Sequence, residues 1–177
     1  MQIMASVSEN GAANASGAAG LSPLKGLGVL LGVIVAVAAL VGIGMALELS
    51  ALYGGFLFVL YWTGFCHAEI DKFLPAVVGS LGGLVLAYAL KALPVMLGGS
   101  AGMVLALLLI LLAIYAIIMG WVPMLVNNAF MLFLTVGTIP ALQQDVTLSQ
   151  MARAVVIAAV YVGALVLLGK KLAAGKQ

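Results

Sequence analysis

Charge is what this chain has least of. Its 177 residues include seven Lys and Arg, five Asp and Glu and one His, so 7% are charged while 66% are hydrophobic. A soluble domain carries about a quarter charged residues, so this one has too few to cover a water-facing surface. The net charge of +2 argues against nucleic acid as a partner, and no basic patch with interleaved aromatics exists. The single cysteine, Cys66, excludes an intrachain disulfide and any Cys/His zinc spacing. A lone cysteine at a membrane boundary reads as a small apolar residue. With so few titratable groups there is no Ser/His/Asp set on separate elements, no HExxH and no phosphate-cradling loop. The sequence therefore predicts no enzyme, no cofactor and no metal.

Long apolar runs are present instead, and few charges with many such runs mark an integral membrane protein. Residues 1–24, rich in Ala, Ser, Asn and Gly, read as a flexible tail. They lack the basic start and apolar stretch of a signal peptide. Residues 25–172 read as one transmembrane domain and 173–177 as a C-terminal tail. The expected fold is an all-α polytopic bundle of six helices. The segments fall at about 26–47, 51–65, 73–90, 95–119, a fifth from Trp121 to about Pro140, and 154–168.

Small residues recur at helical spacing: Gly28, Gly32 and Ala36, then Gly79 and Gly83, then Gly98 and Gly102. In lipid such stripes let backbones approach closely, so they read as helix–helix seams. The more Lys-rich side of a six-span chain collects Lys25, Lys72, Lys170, Lys171 and Lys176, against Lys91 and Arg153. That bias places both termini in the cytoplasm, across a cell inner membrane.

The stretch ALYGGFLFVLYWTGFCHAEIDKFLP at 51–75 holds most of the chemistry. Its apolar start ends in Tyr61, Trp62 and Thr63, and the polar turn that follows carries His67, Glu69 and Asp71. His67 and Asp71 are four apart and would share a helix face. A histidine beside carboxylates changes charge between about pH 5 and 8, which suits a proton-linked gate. A solvated turn with a weak Glu69–Lys72 pair is the plainer reading. Glu48 ends the first segment, where a carboxylate is either functional or reaching for interfacial water. Asn127 and Asn128 lie inside an apolar stretch and need hydrogen-bond partners. With Trp62, Thr63 and Thr135 they are the expected lining of a path.

The two halves share a pattern, with LYGGFLFVL against LVNNAFMLFL. Three spans per half would set the halves inverted, a recurrent design of transporters. The run GGFLFVLYWTGF, the polar turn and LPAVVGSLGGLVLAY together resemble a family of small bacterial inner-membrane proteins. More distantly they are similar to the membrane module of fusaric-acid-resistance and aromatic-acid exporters. The shared features are an aromatic-rich second helix, a polar hinge and a third helix with Gly79, Gly82 and Gly83. The resemblance covers about residues 25–169, implies a transport-type role and carries over no catalytic residue.

The leading expectation is a transporter or channel for a small solute, working as a homo-oligomer in the bilayer. Trp62, Thr63, Asn127, Asn128 and Thr135 would line the path. His67, Glu69 and Asp71 would gate its inner mouth and Glu48 the opposite side. The alternative is a non-transporting scaffold or accessory subunit.

Overall fold

A computed structural model describes residues 23–174 of the chain. Among them are seven α-helices and no strand. They are α1 Pro23–Ala46, α2 Leu52–Val59, α3 Phe73–Leu97, α4 Gly99–Met119, α5 Asn128–Gly137, α6 Pro140–Asp145 and α7 Leu148–Ala174. A π-helical turn, Leu60–Phe65, prolongs α2, and a 3₁₀ turn, Ile70–Lys72, leads into α3. Residues 1–22 and 175–177 of the two expected tails lie outside the described residues.

The protein is a membrane protein. Among the described residues, four stretches are long and apolar enough to cross a bilayer: Gly26–Ala46, Ile70–Leu97, Gly99–Met119 and Leu148–Leu172. The other two expected segments are shorter helices, Leu52–Phe65 and Asn128–Gly137. A ten-residue helix such as α5 reaches about 15 Å, half of the roughly 30 Å hydrocarbon layer. The fifth segment is cut short at both ends by its own sequence. Pro123 and the Asn127 cap hold residues 121–127 out of the helix, and Pro140 separates α5 from α6.

The chain divides into two compact units between Gly42 and Ile43. The first contains one described element, the stretch of α1 up to Gly42, which is apolar after Lys25. In the second, α3 is central and packs on α5, α4 and α7, while α2 packs on α7. Phe58, Trp62, Leu84, Phe133, Met151 and Val155 form the main core. Glycines permit the closest approaches. A Cβ at Gly55 would lie 2.9 Å from both the Ala154 carbonyl oxygen and the Ala158 methyl. One at Gly83 would meet the Phe130 carbonyl, and one at Gly79 the Asn127 side chain. The expected Gly79/Gly83 seam is thus the α3–α5 contact. Gly102 packs its backbone against Leu93 and Pro94, closing the α3–α4 corner around Gly98 (φ +85°).

Helix ends have local causes. Gly120, left-handed at φ 62°, terminates α4 with its N–H on the carbonyls of Ala116 and Ile117. α7 starts at Leu148, not near 154, because Thr147 and Gln150 form a reciprocal cap. The Thr147 N–H donates to Gln150 Oε1 at 2.8 Å, and the Gln150 N–H reaches Thr147 Oγ1 at 3.4 Å. This pairing satisfies two amide donors that an open helix start would leave unbonded.

Candidate functional site

The turn between α2 and α3 is built from backbone strain and one indole. The wide helix ends at Phe65, and the Cys66 N–H donates to the Tyr61 carbonyl at 3.2 Å. His67 and Ala68 then take left-handed conformations, φ 51° and 53°, which ordinary L-residues avoid. Trp62 is buried in the core, and its indole Nε1–H donates to the Glu69 carbonyl at 3.0 Å, clamping the loop back onto the helix. Phe73 packs edge-on against the same indole with ring centroids 4.9 Å apart.

This geometry corrects the shared face expected of His67 and Asp71. A left-handed pair followed by a 3₁₀ turn replaces the helix that a spacing of four would need. His67, Glu69 and Asp71 are all exposed. Glu69 accepts from Lys72 Nζ at 2.8 Å, and this hydrogen bond and charge hold its carboxyl below the ordinary value of 4.5.

Asn127 has its needs met locally. Its Oδ1 accepts from the Phe130 N–H at 3.2 Å, capping α5. Its Nδ2 donates to the Pro75 carbonyl at 2.8 Å and to Pro123 at 3.2 Å, tying α5 to the first turn of α3. Thr63 and Thr135 are exposed, and each hydroxyl donates to a carbonyl of its own helix, Val59 at 2.7 Å and Met131 at 2.8 Å.

Two adjoining cavities open beside this region. One of about 310 Å³ is bordered by Tyr61, Cys66, Lys72, Pro75, Asn127 and Asn128, with the α4–α5 connection closing its far side. The other, about 430 Å³, shares Tyr61, Cys66, Lys72 and Asn128 and adds Phe65 and Leu132. The asparagines therefore do meet the end of the 51–75 stretch, but through Lys72, Cys66 and Tyr61. His67, Glu69, Asp71, Trp62, Thr63 and Thr135 border neither cavity. Tyr61 and Lys72 had a sequence signal, since they bracket the polar turn. Their convergence on Asn128 depends on a long-range contact that spacing does not reveal.

Glu48 stands elsewhere. It is left-handed at φ 51° and borders a cleft of about 270 Å³ with Leu47, Leu49, Ser50, Gln150, Arg153 and Ile157. A fourth space, about 660 Å³, runs between α3, α4 and α5 and is lined by apolar side chains such as Leu86, Leu112, Trp121 and Phe130. Among the described residues no group of three His, Cys, Asp or Glu is placed to hold a metal ion. Comparison with known protein families, with curated proteins and with solved structures returns no match to this chain.

Proposed function

We propose that this protein is a non-conducting membrane scaffold or accessory subunit. The observation that supports this reading is the dry interior of the Ile43–Gln177 unit. Ser80 is its one buried polar side chain among the described residues, and its hydroxyl is spent on the Ala76 carbonyl at 2.7 Å. A solute path must offer groups that replace lost hydration. Here Phe58, Trp62, Phe133 and Met151 fill the space where such groups would stand.

A second reading has one observation in its favour. Asn128, Leu132 and Thr135 recur at i, i+4 and i+7 on α5, and the first two border the cavity shared with Tyr61 and Lys72. A second copy of the chain laid on that stripe would enclose a polar passage between subunits. Both readings use two inverted three-helix halves. The reciprocal docking of α2 on α7 and of α5 on α3 supports that arrangement.

Single cysteines at Ser80, Leu84, Phe133 and Met151, in a Cys66→Ala background, test the proposal. In proteoliposomes they are expected to resist a water-soluble maleimide applied from either side. Labelling at successive positions along α3 would overturn the scaffold and restore a path through the protomer. Protected Ser80 and Leu84 with reactive cysteines at both Asn128 and Thr135, together with solute flux, would favour the passage between copies.

A further inference from the structure

The cleft at Glu48 lies where the chain passes from α1 to α2 and where α7 begins. Glu48 follows the span that ends at Ala46, and Arg153 stands in the first turns of the span that starts at Leu148. Both therefore belong to the boundary zone where lipid headgroups sit. The two side chains are exposed and opposite in charge, and they border one space of about 270 Å³. They do not pair with each other: the ion pair among the described residues is Lys72–Glu69.

Their separation is built into the backbone. Glu48 is fixed by a left-handed turn, with its N–H on the Met45 carbonyl at 3.2 Å and the Leu49 N–H on Gly44 at 2.9 Å. Arg153 is carried by α7. Gln150 Nε2 donates to Ser50 Oγ at 3.0 Å, tying the α1–α2 connection to α7, and both residues border the cleft. Leu47, Leu49 and Ile157 make its remaining walls apolar. A cleft bordered by a cation, an anion and apolar side chains is complementary to an amphiphile whose head carries both charges.

The geometry points to a binding site for the headgroup of a zwitterionic phospholipid bearing a primary ammonium, with the phosphate on Arg153 and the ammonium on Glu48. The planar guanidinium offers paired N–H donors to phosphate oxygens. The carboxylate accepts from an ammonium that has N–H donors to give. A quaternary ammonium has none and is recognised by aromatic faces, and no aromatic residue borders this cleft. A purely anionic head would satisfy Arg153 and leave Glu48 facing like charge. The apolar rim favours a lipid over a free phospho-amine, whose stem would leave Leu47 and Ile157 uncovered.

The test uses the full chain in detergent, titrated with short-chain phosphatidylethanolamine, phosphatidylcholine and phosphatidylglycerol and with free O-phosphoethanolamine. Binding is read by native mass spectrometry. The ethanolamine lipid is expected to bind about tenfold more tightly than the other two lipids, a difference of about 1.4 kcal/mol. Glu48→Gln should erase its advantage over the choline lipid. Arg153→Gln should weaken all three lipids, and Arg153→Lys should recover part of the loss. Unliganded melting temperatures within a few degrees of wild type establish that the variants are folded. Equal affinity for the three headgroups, or wild-type affinity in both charge-neutral variants, would overturn the site. Free O-phosphoethanolamine binding as tightly as the lipid would overturn the lipid as occupant.

Discussion

Asn127 shows how one side chain can look like a pore residue and act as a joint. The sequence rightly demanded partners for an amide in an apolar setting. It could not say that these would be the Phe130 N–H and the carbonyls of Pro75 and Pro123. Asn127→Ala removes a helix cap and a strap together. It should lower unfolding free energy by about 1–2 kcal/mol, measured by denaturant titration in detergent. Asn127→Ser keeps the cap and should recover part of that loss. At Ala68 the direction reverses. Its φ of 53° costs a residue with a Cβ about 1–2 kcal/mol, so Ala68→Gly should be neutral or stabilising in the same titration. A clear loss would show that the left-handed turn carries no strain. The polar turn also has an acid limb. Glu69 is depressed by Lys72, so its contribution is present above the carboxyl's unfolded pKa and is lost as pH falls through the lower folded one. Both partners are well exposed, which keeps the effect small. Glu69→Gln should flatten the loss of thermal stability below pH 4.5, read from melting curves across that range.

At the scale of elements, the apolar runs reported which segments are helical, because length and hydropathy act locally. Their ends were less legible. The signals lay in short polar spacings: Thr147 with Gln150 for the start of α7, and Pro123 with Asn127 for the late start of α5. The helical face that would unite His67 and Asp71 does not form, and the plainer reading of a solvated turn with a Glu69–Lys72 pair holds. The Trp62 indole bond to Glu69 belongs to a loop, and periodicity carries no information about loops. Glycine spacing predicted the α3–α5 seam well, since close approach leaves room for no other side chain. Gly83→Ala should therefore cost about 1–3 kcal/mol by forcing Phe130 away. Gly64→Ala is the control: its nearest outside atom is Leu60 Cδ1 at 3.8 Å, so stability should hold or rise. Ala favours a helix over Gly, so equal losses at both positions would show that the Gly83 loss does not come from its close approach to Phe130.

For the whole molecule, the α2–π segment is the decisive length. It joins the Glu48 cleft at one end to the His67 turn at the other, yet is shorter than the four long spans. If it crosses the bilayer, cysteines placed at Glu48 and at His67 in a Cys66→Ala background should react with an impermeant maleimide from opposite faces of sealed vesicles. Labelling from the same face would make this segment re-entrant and reverse every later helix.

The docking of α2 on α7, and of α5 on α3, also has a consequence during synthesis. When α2 leaves the ribosome its glycine face has no mate, because Ala154 and Ala158 are made about a hundred residues later. The α2 face stays unpacked until α7 is made, so the insertion machinery is expected to shelter it until then. A chain stopped before Leu148 should be degraded quickly in a pulse–chase experiment, and supplying residues 148–177 as a separate polypeptide should prolong its life.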